Sequence, residues 1–390
     1  MATGLGDAVR VAVIGAGFAG SAHVEALRRV PGVEVAAVAG SDAARVRAAA
    51  DRLGVEGATG DYRTLLDDLS IDAVHNCTPN DLHHEVTAAA LEAGKHVLAE
   101  KPLAMDSTET ADLAARAATA HAVTGVCFNY RHFPLVAEAR AMLADGRAGR
   151  PHMIRGGYLQ DWLLEPTDWN WRLQSERSGA SRAVGDIGSH WIDLVQHVTG
   201  RRIAQVYARL GRLHDVRRRP AGPARTFERG EGASEPVEVD TEDFATVLVE
   251  MDDGCPGVFS VSQVSPGRRN QLVFEIDTAS VSLAWDQERP NELRIGRRDR
   301  PNERLPRDPA LLSADAAGLA HYPAGHQEGW PDALKNLLID FYADVAARRA
   351  GEAHASTVAT FDDAHRVTLT VEAILESHRA GRWVDVVAGG

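Results

Sequence analysis

Short apolar runs alternate with amphipathic segments along the first third of the chain. Five nearly continuous apolar runs lie at residues 9–15, 33–39, 73–77, 96–99 and 123–128. Such runs are typical of strands that are covered on both faces. The segments between them have helical spacing of their apolar positions, and Asp42 and Gly54 are placed to begin and end one of these helices. The alternation predicts an α/β fold with a doubly wound parallel sheet.

The pattern changes after Asn129. Alternating apolar positions predict strands at residues 152–159, 203–210, 244–251, 258–265, 271–277 and 280–286. Helical spacing predicts helices at residues 135–144, 186–199, 334–349 and 361–378. We therefore expect residues 1–128 to form one domain and residues 129–390 a second, α+β domain with a large, mostly antiparallel open sheet. Residues 214–238 are rich in Pro, Gly, Arg and Glu and are predicted to form a loop.

Composition excludes several classes of partner. The 390-residue chain has a formal net charge of −13, which argues against binding to nucleic acid or to an anionic membrane surface. Two short Arg-rich pieces, residues 217–219 and 297–300, lie among Pro, Gly and acidic residues and are predicted to be solvated loops. The three cysteines have no CxxC spacing, so we expect neither a disulfide framework nor a metal site. With no apolar run of membrane length and no signal-peptide pattern, we expect a cytoplasmic location.

A glycine-rich segment follows the first predicted strand and opens a helix. In Gly15-Ala16-Gly17-Phe18-Ala19-Gly20, Gly15 permits a tight turn and Gly17 lets the backbone approach a pyrophosphate. Gly20 lets the helix pack closely on the strand, while Phe18 and Ala19 begin a helix whose amides and dipole favour phosphate. Glycine-rich turns are common, but this strand–turn–helix context predicts a Rossmann domain that binds a dinucleotide.

The end of the second strand bears on the choice between NAD and NADP. NAD sites usually carry an acidic residue there to hold the ribose hydroxyls, whereas this chain has Ala39-Gly40-Ser41. The charge that would repel a 2′-phosphate is missing, and Ser41 and Arg45 are available to bind such a phosphate. Asp42 is explained as a helix cap. Both NAD and NADP therefore remain open.

Two further groups of residues suggest proton-transfer chemistry. Lys101 follows the fourth strand, at the edge of the sheet where ligands bind, although a surface lysine in a loop is the simpler explanation of this residue alone. Asp186 and His190 are four residues apart and Asp193 follows three later, so all three share one face of a predicted helix. A carboxylate beside a histidine orients the ring and stabilises its charged form. A merely solvated polar face is the alternative.

Together these segments resemble the glucose-fructose oxidoreductase / inositol dehydrogenase / rhizopine catabolism (Gfo/Idh/MocA) family of oxidoreductases. The matching segments run through nearly the whole chain, namely residues 15–20, Thr78-Pro79-Asn80-Asp81-Leu82-His83, Ala93-Gly94-Lys95-His96-Val97, Glu100-Lys101-Pro102, Asn129-Tyr130-Arg131, Asp186 to Asp193, and Arg382-Trp383-Val384. The resemblance implies a nicotinamide cofactor, and a homodimer or homotetramer that pairs through the outer face of the second-domain sheet.

The resemblance also implies roles for individual residues. It gives Lys101 a place at the nicotinamide and the substrate, His190 the role of general acid/base, and Asp186 that of its partner and substrate contact. It implies that the loop lining the nicotinamide consists of Thr78, Pro79, Asn80 and His83, with Glu100, Asn129 and Arg131 also near the cofactor, Arg131 also contacting substrate.

A finer similarity links the chain to the branch of levoglucosan dehydrogenase and the pyranoside 3-dehydrogenases. It is carried by residues 157–162, Trp171-Arg172 and Gly185-Asp186-Ile187, and it implies a substrate pocket that uses Gln160, Asp161, Trp162 and Arg172. Aromatic faces and planar polar groups suit a sugar ring. For the tryptophans at 162, 169 and 171, packing in the core is the alternative.

The sequence therefore predicts an NAD(P)-dependent dehydrogenase. It would oxidise a secondary hydroxyl of a sugar, anhydrosugar, glycoside or cyclitol, or reduce the ketosugar, with Lys101, Asp186 and His190 as catalytic residues. One alternative is an NAD-dependent glycosidase of the same fold, which oxidises its substrate only transiently. The other is a dinucleotide-binding regulator without catalytic activity.

Overall fold

The computed structural model describes residues 8–222 and 233–387. The strands are Val9–Ile14 (β1), Val33–Ala39 (β2), Gly57–Thr59 (β3), Ala73–Asn76 (β4), His96–Ala99 (β5), Thr124–Val126 (β6), Pro151–Leu159 (β7), Ile203–Gly211 (β8), Val216–Pro220 (β9), Ser234–Glu238 (β10), Phe244–Met251 (β11), Pro256–Ser262 (β12), Gln271–Thr278 (β13), Ser282–Asp286 (β14), Glu292–Gly296 (β15), Glu303–Pro306 (β16) and Val384–Asp385 (β17). The α-helices are Phe18–Leu27 (α1), Ala43–Leu53 (α2), Arg63–Leu66 (α3), His83–Glu92 (α4), Ser107–Thr119 (α5), Pro134–Ala144 (α6), Ser175–Ser178 (α7), Ser189–Thr199 (α8), Ala314–Leu319 (α9), Trp330–Ala350 (α10) and Phe361–Ala380 (α11).

The first of two compact units contains the residues up to His132 together with Trp330–His365. Its sheet has the strand order β3-β2-β1-β4-β5-β6, and every neighbouring pair is parallel. This confirms the predicted doubly wound sheet. Asp42 accepts a hydrogen bond from the backbone N–H of Arg45 and Gly54 takes a left-handed conformation, so α2 begins and ends where the sequence predicts. Strand β3 was not predicted, because three residues are too short to show a periodic pattern.

Helix α10 belongs to this first unit, whereas the sequence prediction places it in a second domain made of residues 129–390. The helix buries Leu334, Leu337, Leu338 and Phe341 in the same apolar core as Val11 of β1. The contiguous boundary at residue 128 therefore differs from the observed division. Helical spacing shows which face of a helix is buried, but not which sheet that face covers.

The second unit contains Phe133–Gly329 and the residues from Arg366 onward. Its sheet has the order β16-β15-β14-β13-β7-β12-β11-β8-β17, and only the β7–β12 pair is parallel among the described strands. This confirms the predicted large, mostly antiparallel sheet. Helix α8 packs on it through Trp191, whose ring stacks on Phe259 at 4.3 Å and whose indole N–H donates to the Val273 carbonyl at 3.0 Å.

The predicted loop at residues 214–238 is wrong at both ends. Strands β9 and β10 pair there as an antiparallel ribbon, while residues 223–232 of this prediction lie outside the described residues. Arg217, predicted to be solvated, is fully buried and forms an ion pair with Asp243 at 2.7 Å. Composition alone could not reveal this partner, which is distant in sequence.

The three cysteines are unpaired and buried. Within residues 8–222 and 233–387, no helix combines the length and apolar character needed to cross a membrane.

Candidate functional site

The three glycines after β1 are required for two different reasons. An added Cβ would lie 2.1 Å from the Cys77 carbonyl oxygen at Gly15 and 1.8 Å from the Gly15 carbonyl oxygen at Gly20, so these two positions are closed by backbone packing. Gly15 also has φ of +115°, which other residues rarely adopt. At Gly17 a Cβ would meet nothing within 4 Å. The space beside Gly17 is thus left for a ligand.

Helix α1 presents its amides at this open space. Gly17 is the N-cap residue and has no capping side chain, and no acidic residue lies in the first turn. Phe18 is 60% exposed and Ala19 is half-buried at the start of the helix. An uncapped helix N-terminus beside a gap in the backbone packing suits a pyrophosphate, because the amides and the dipole both favour negative charge. These residues therefore fit an NAD(P) cofactor.

The end of β2 leaves the choice of cofactor as a prediction. Ser41 and Arg45 are exposed, and the guanidinium of Arg45 lies 3.2 Å from the carboxylate of Asp42. A Cβ on Gly40 would lie 2.8 Å from a methyl group of Val46, so a longer residue at position 40 requires this side chain to move. Asp42 is an acidic residue near the end of β2. One of its carboxylate oxygens pairs with Arg45, and the other accepts the backbone N–H that caps α2.

The loop after β4 is held by hydrogen bonds from buried residues. The Thr78 hydroxyl donates to Asn76 Oδ1 at 2.7 Å, and the two ring nitrogens of His83 lie within hydrogen-bond distance of the carbonyls of Thr78 and Pro102. His83 is buried, and burial lowers its pKa although the two carbonyls oppose this. The ring therefore ties the loop after β4 to the loop after β5. Pro79 and Asn80 lie between these contacts and are half-buried.

Glu100 stands at the end of a buried chain of polar side chains that the sequence reasoning missed. One Glu100 carboxylate oxygen lies 3.1 Å from His23 Nε2, and the other accepts the backbone N–H of Lys101 at 3.1 Å. His23 Nδ1 lies 2.8 Å from His75 Nδ1, and His75 Nε2 lies 2.9 Å from the Tyr342 hydroxyl. Burial raises the pKa of Glu100, but His23 and Lys101 lower it by more, to about 2. Glu100 is therefore ionised beside the backbone of Lys101.

The same cluster has ligand atoms at metal-binding spacing. His23, Glu100 and Cys127 place one donor atom each within 4.8 Å of one another, with Cys127 Sγ 3.6 Å from His23 Nε2. However, both ring nitrogens of His23 already lie within hydrogen-bond distance of His75 and Glu100. Burial also raises the pKa of Cys127, which disfavours the thiolate that a metal requires. These residues fit a hydrogen-bonded cluster better than a metal site.

Asn129 and Arg131 lie in a short helical turn, Asn129–His132, at the end of the first segment of this unit. Both are buried, and the Arg131 guanidinium lies 3.4 Å from the Thr357 carbonyl and from the Asp363 carboxylate. Lys101 is half-buried and follows Glu100 directly. The first unit therefore holds the predicted cofactor residues on the loops that follow its parallel strands and in the first turns of the helices after them, where ligands of such sheets bind.

In the second unit, Asp186 lies in a π-helical turn. The predicted helix at residues 186–199 is corrected here: Val184–Gly188 form the π-helical turn, and α8 begins at Ser189. Such turns often mark functional positions. The Asp186 carboxylate accepts the side-chain N–H of Gln263 at 3.0 Å and forms an ion pair with Arg172 at 3.3 Å. His190 is buried in the first turn of α8.

The predicted substrate residues divide into two groups. Gln160 accepts the indole N–H of Trp162 at 2.8 Å and donates to Asn270 at 2.9 Å, and Arg172 lies 4.5 Å from the centre of the Trp171 ring. These side chains form connected polar and aromatic surfaces of the kind that a sugar requires. Asp161 differs, because it accepts the Gly267 N–H and pairs with Arg269, and so holds a loop.

Two further aromatic side chains lie near the predicted substrate residues in the sequence, and the structure gives them different surroundings. Trp169 is buried in a small apolar cluster with Leu163 and Leu173, which confirms core packing for this tryptophan. The Tyr158 ring centre lies 6.1 Å from that of His190, and the Tyr158 hydroxyl donates to Asn270. Tyr158 thus links His190 to the hydrogen bonds around Gln160. The sequence reasoning missed this role, although alternation along β7 marks Tyr158 as a buried position.

Lys101 lies in the first unit, and Asp186 and His190 lie in the second. Their convergence on one substrate stays a prediction.

Comparison with known proteins covers nearly the whole chain. A family model described as "Oxidoreductase family, NAD-binding Rossmann fold" matches residues 9–128, and the GFO/IDH/MocA C-terminal domain matches residues 136–282. Levoglucosan dehydrogenase of Pseudarthrobacter phenanthrenivorans is 33% identical over 97% of this chain and 98% of its own length.

Solved structures agree with these matches. Levoglucosan dehydrogenase in complex with NADH and levoglucosan has a TM-score of 0.86 and 30% identity, covering 97% of this chain and 100% of that one. An inositol dehydrogenase homologue from Azotobacter vinelandii in complex with NAD⁺ has a TM-score of 0.87 and 27% identity, covering 98% of each chain. The chain therefore belongs to the Gfo/Idh/MocA family and is an NAD(P)-dependent oxidoreductase.

Proposed function

We propose that this enzyme is a dehydrogenase that oxidises a secondary hydroxyl of a pyranose sugar, anhydrosugar or glycoside, or of a cyclitol, and that it reduces the corresponding ketone in reverse. The observation that carries the proposal is the full-length similarity to levoglucosan dehydrogenase, at 33% identity over 97% of the chain. Similarity over both units matters, because the first supports cofactor use and the second supports the class of substrate.

Residues of this chain would perform the proton chemistry. In the oxidation direction, His190 accepts the proton of the reacting hydroxyl, and Asp186 stabilises the imidazolium that forms. Lys101 donates a hydrogen bond to the same oxygen and stabilises its developing negative charge. The nicotinamide, when bound, supplies hydride acceptance. In the reduction direction the same residues act in the opposite sense, with His190 as the acid.

The pocket residues would recognise a ring with apolar faces and a polar rim. Trp162 offers an aromatic face, and its indole N–H is directed to Gln160. Arg172 is oriented by Asp186 and by the ring of Trp171, so its remaining N–H groups are placed to donate to hydroxyls. Asp161 would act indirectly, through the loop that it holds with Arg269.

The first test is a panel of substrates. Levoglucosan, glucose, methyl glucosides and myo-inositol are each incubated with NAD⁺ and with NADP⁺, and reduced nicotinamide is followed by its absorbance. We expect at least one compound to reduce the cofactor with its carbon skeleton intact. Release of an aglycone without net reduction would support the glycosidase alternative. Tight NADH binding with no turnover on the whole panel would contradict the proposal and favour a sensor.

The second test examines the catalytic residues. We expect Lys101→Ala and His190→Ala each to lower kcat by orders of magnitude, while NADH affinity, measured by fluorescence titration, changes little. Lys95→Ala is a matched control for the first change, because Lys95 is buried and its described hydrogen bonds are to the Asp68 and Ile71 carbonyls of the same unit. Near-wild-type turnover of either catalytic variant would remove that residue from the mechanism.

The preference between the cofactors follows from Arg45. We propose that it binds a 2′-phosphate when NADP is present, since it is exposed and has only the Asp42 carboxylate opposite it in the contacts described. We expect Arg45→Ala to raise the KM for NADP⁺ several-fold and to leave that for NAD⁺ nearly unchanged. Equal effects on the two cofactors would contradict this role.

We also propose a homodimer or homotetramer that acts in the cytoplasm. Phe244 and Leu248 are about two-fifths exposed on one face of β11, and we propose this face as the surface of subunit contact. Three free thiols suit a reducing compartment. Light scattering coupled to size exclusion would give the subunit number, and a monomer unaffected by Leu248→Arg would contradict the assembly.

A further inference from the structure

Gln263, a residue just beyond β12, makes a side-chain contact with the proposed catalytic Asp186. Its Nε2 lies 3.0 Å from an Asp186 carboxylate oxygen, and its Oε1 lies 3.1 Å from an Nη atom of Arg182. Gln263 is fully buried, and its backbone N–H and carbonyl are bonded to Asp243 and Leu163. The side chain is therefore fixed at both ends of its amide and on its backbone.

Arg182 determines which end of the Gln263 amide faces Asp186. A guanidinium has only N–H donors, so the amide atom that faces it must be the oxygen. The amide NH₂ is then directed at the Asp186 carboxylate, which accepts it. The reverse orientation would place the amide NH₂ against the N–H donors of Arg182 and the amide oxygen against the carboxylate of Asp186. Neither contact could then be a hydrogen bond, so donor chemistry fixes the assignment.

Arg182 is in turn held by a buried group of charges. Its guanidinium donates to the Thr241 hydroxyl at 3.1 Å and pairs with Asp243, which also pairs with the buried Arg217. Burial raises the pKa of Asp243, but the two guanidinium groups lower it by more, so it stays below its ordinary value. The Arg182 and Asp243 side chains have no exposed surface.

The neighbouring Glu242 fixes the backbone that leads to Asp186. Its carboxylate accepts the N–H groups of Arg182 and Val184 and the hydroxyl of Ser181, all within 3.2 Å. Taking charges out of water is costly, and well-packed apolar residues often give equal or better stability. A buried network that ends on one carboxylate in a π-helical turn is better explained by the orientation of that carboxylate than by stability.

We infer that Gln263 is a positioning residue for the dehydrogenase reaction, held by Arg182 and Asp243, and that it orients Asp186 and keeps this carboxylate directed toward its catalytic partner. This inference rests on the proposed function, in which Asp186 acts with His190. Gln263 acts through Asp186 and is not itself proposed to contact the substrate.

Two substitutions separate the hydrogen bond from the packing. Gln263→Met keeps the length of the side chain and removes the donor, and we expect kcat/KM for the sugar to fall about tenfold or more. Gln263→Glu keeps a partner for Arg182 but places a second carboxylate against Asp186. Like charges favour the protonated forms of nearby groups, so we expect the low-pH limb of the kcat/KM profile to move about one pH unit upward, with activity recovering as pH rises. The NADH dissociation constant should not change.

The control is a glutamine that donates to a different aspartate. Gln205→Glu makes the same change beside an aspartate elsewhere in the sheet, since Gln205 donates to Asp385 at 2.7 Å on the exposed surface, and we expect wild-type kinetics from it. If the Gln263 variants unfold, Thr241→Val is used instead. It removes the hydroxyl that accepts the Arg182 N–H with little change in volume, and it should lower kcat/KM a few-fold.

The outcomes distinguish failure of the inference from failure of the proposed function. If folded Gln263→Met and Gln263→Glu keep wild-type kcat/KM and pH profile while Asp186→Asn is inactive, the positioning role is overturned and the mechanism stands. If Asp186→Asn is itself fully active, the mechanism under the proposed function fails instead. A uniform loss of kcat/KM in both Gln263 variants, with no movement of the pH profile, would also overturn the positioning role, because packing alone would explain it.

Discussion

Replacing Glu100 by Gln tests the buried chain of polar groups behind Lys101. The change keeps the shape of the side chain but removes the charge that His23 stabilises and weakens the acceptor for the Lys101 N–H. The carboxylate side chain is only 17% exposed, so water compensates little for the loss. We therefore expect Glu100→Gln to destabilise the first unit and to disturb the loop that carries Lys101.

The magnitude follows from the pKa of Glu100. Lowering this pKa from the ordinary 4.5 to about 2 means that folding favours the charged form by about 3 kcal/mol, at about 1.4 kcal/mol for each tenfold change in the equilibrium. Because the folded-state pKa is depressed, this stability is fully present above about pH 4.5 and is lost as the pH falls toward 2. At pH 7, Gln behaves like the protonated acid, so the variant should lose about 3 kcal/mol.

The assay must report on the first unit. Six of the seven tryptophans lie in the second unit, so intrinsic fluorescence is a poor probe of this change. Urea unfolding at pH 7 is followed instead by circular dichroism, with hydrogen exchange of the β5 amides as the local measure. Glu85→Gln is the matched control, because Glu85 is also ion-paired, to Arg63, but is half-exposed, and its loss should cost less than about 1 kcal/mol. A Glu100→Gln cost equal to that of the control would refute the argument.

Two other predictions follow from the first unit. Gly17→Ala should keep the melting temperature but weaken NADH binding at least tenfold, because the added Cβ enters the open space proposed for the cofactor. Gly20→Ala should lower the melting temperature by several degrees, because its Cβ meets backbone atoms. Equal melting temperatures of the two variants would contradict the packing argument. His96 accepts the Val123 N–H through Nδ1, and burial lowers the pKa of His96 to about 4. Folding therefore favours the neutral ring, and this contribution to stability is fully present above pH 6.5. It amounts to about 3 kcal/mol and is lost as the pH falls toward 4. Between pH 7 and pH 4.5, the free energy of unfolding measured with urea should therefore fall less for His96→Gln than for the wild type. An equal fall in the two proteins would contradict this role of His96.

Local pattern was sufficient to predict the glycine segment and most of the elements of the first sheet. The glycine segment, the buried strands and the Asp42 cap depend on residues within one or two turns of each other, so their spacing in the sequence carries the information. The same holds for His190 and Asp186, although the π-helical turn between Val184 and Gly188 was not visible in the spacing. Strand β3 has only three residues, which are too few to show a periodic pattern in the sequence.

The contacts that hold the candidate site together were decided by the tertiary structure. His75 meets Tyr342 across 267 positions of the chain, and Gln263 meets Asp186 across 77. In the sequence each of these residues is a polar position among mostly apolar neighbours, and the residues near it in the chain do not indicate its partner. The sequence by itself determined most of the long strands and helices and the glycine turn after β1, because those depend on short-range periodicity and turn geometry. Only folding decided which polar groups share a buried space, because that depends on which distant elements pack together.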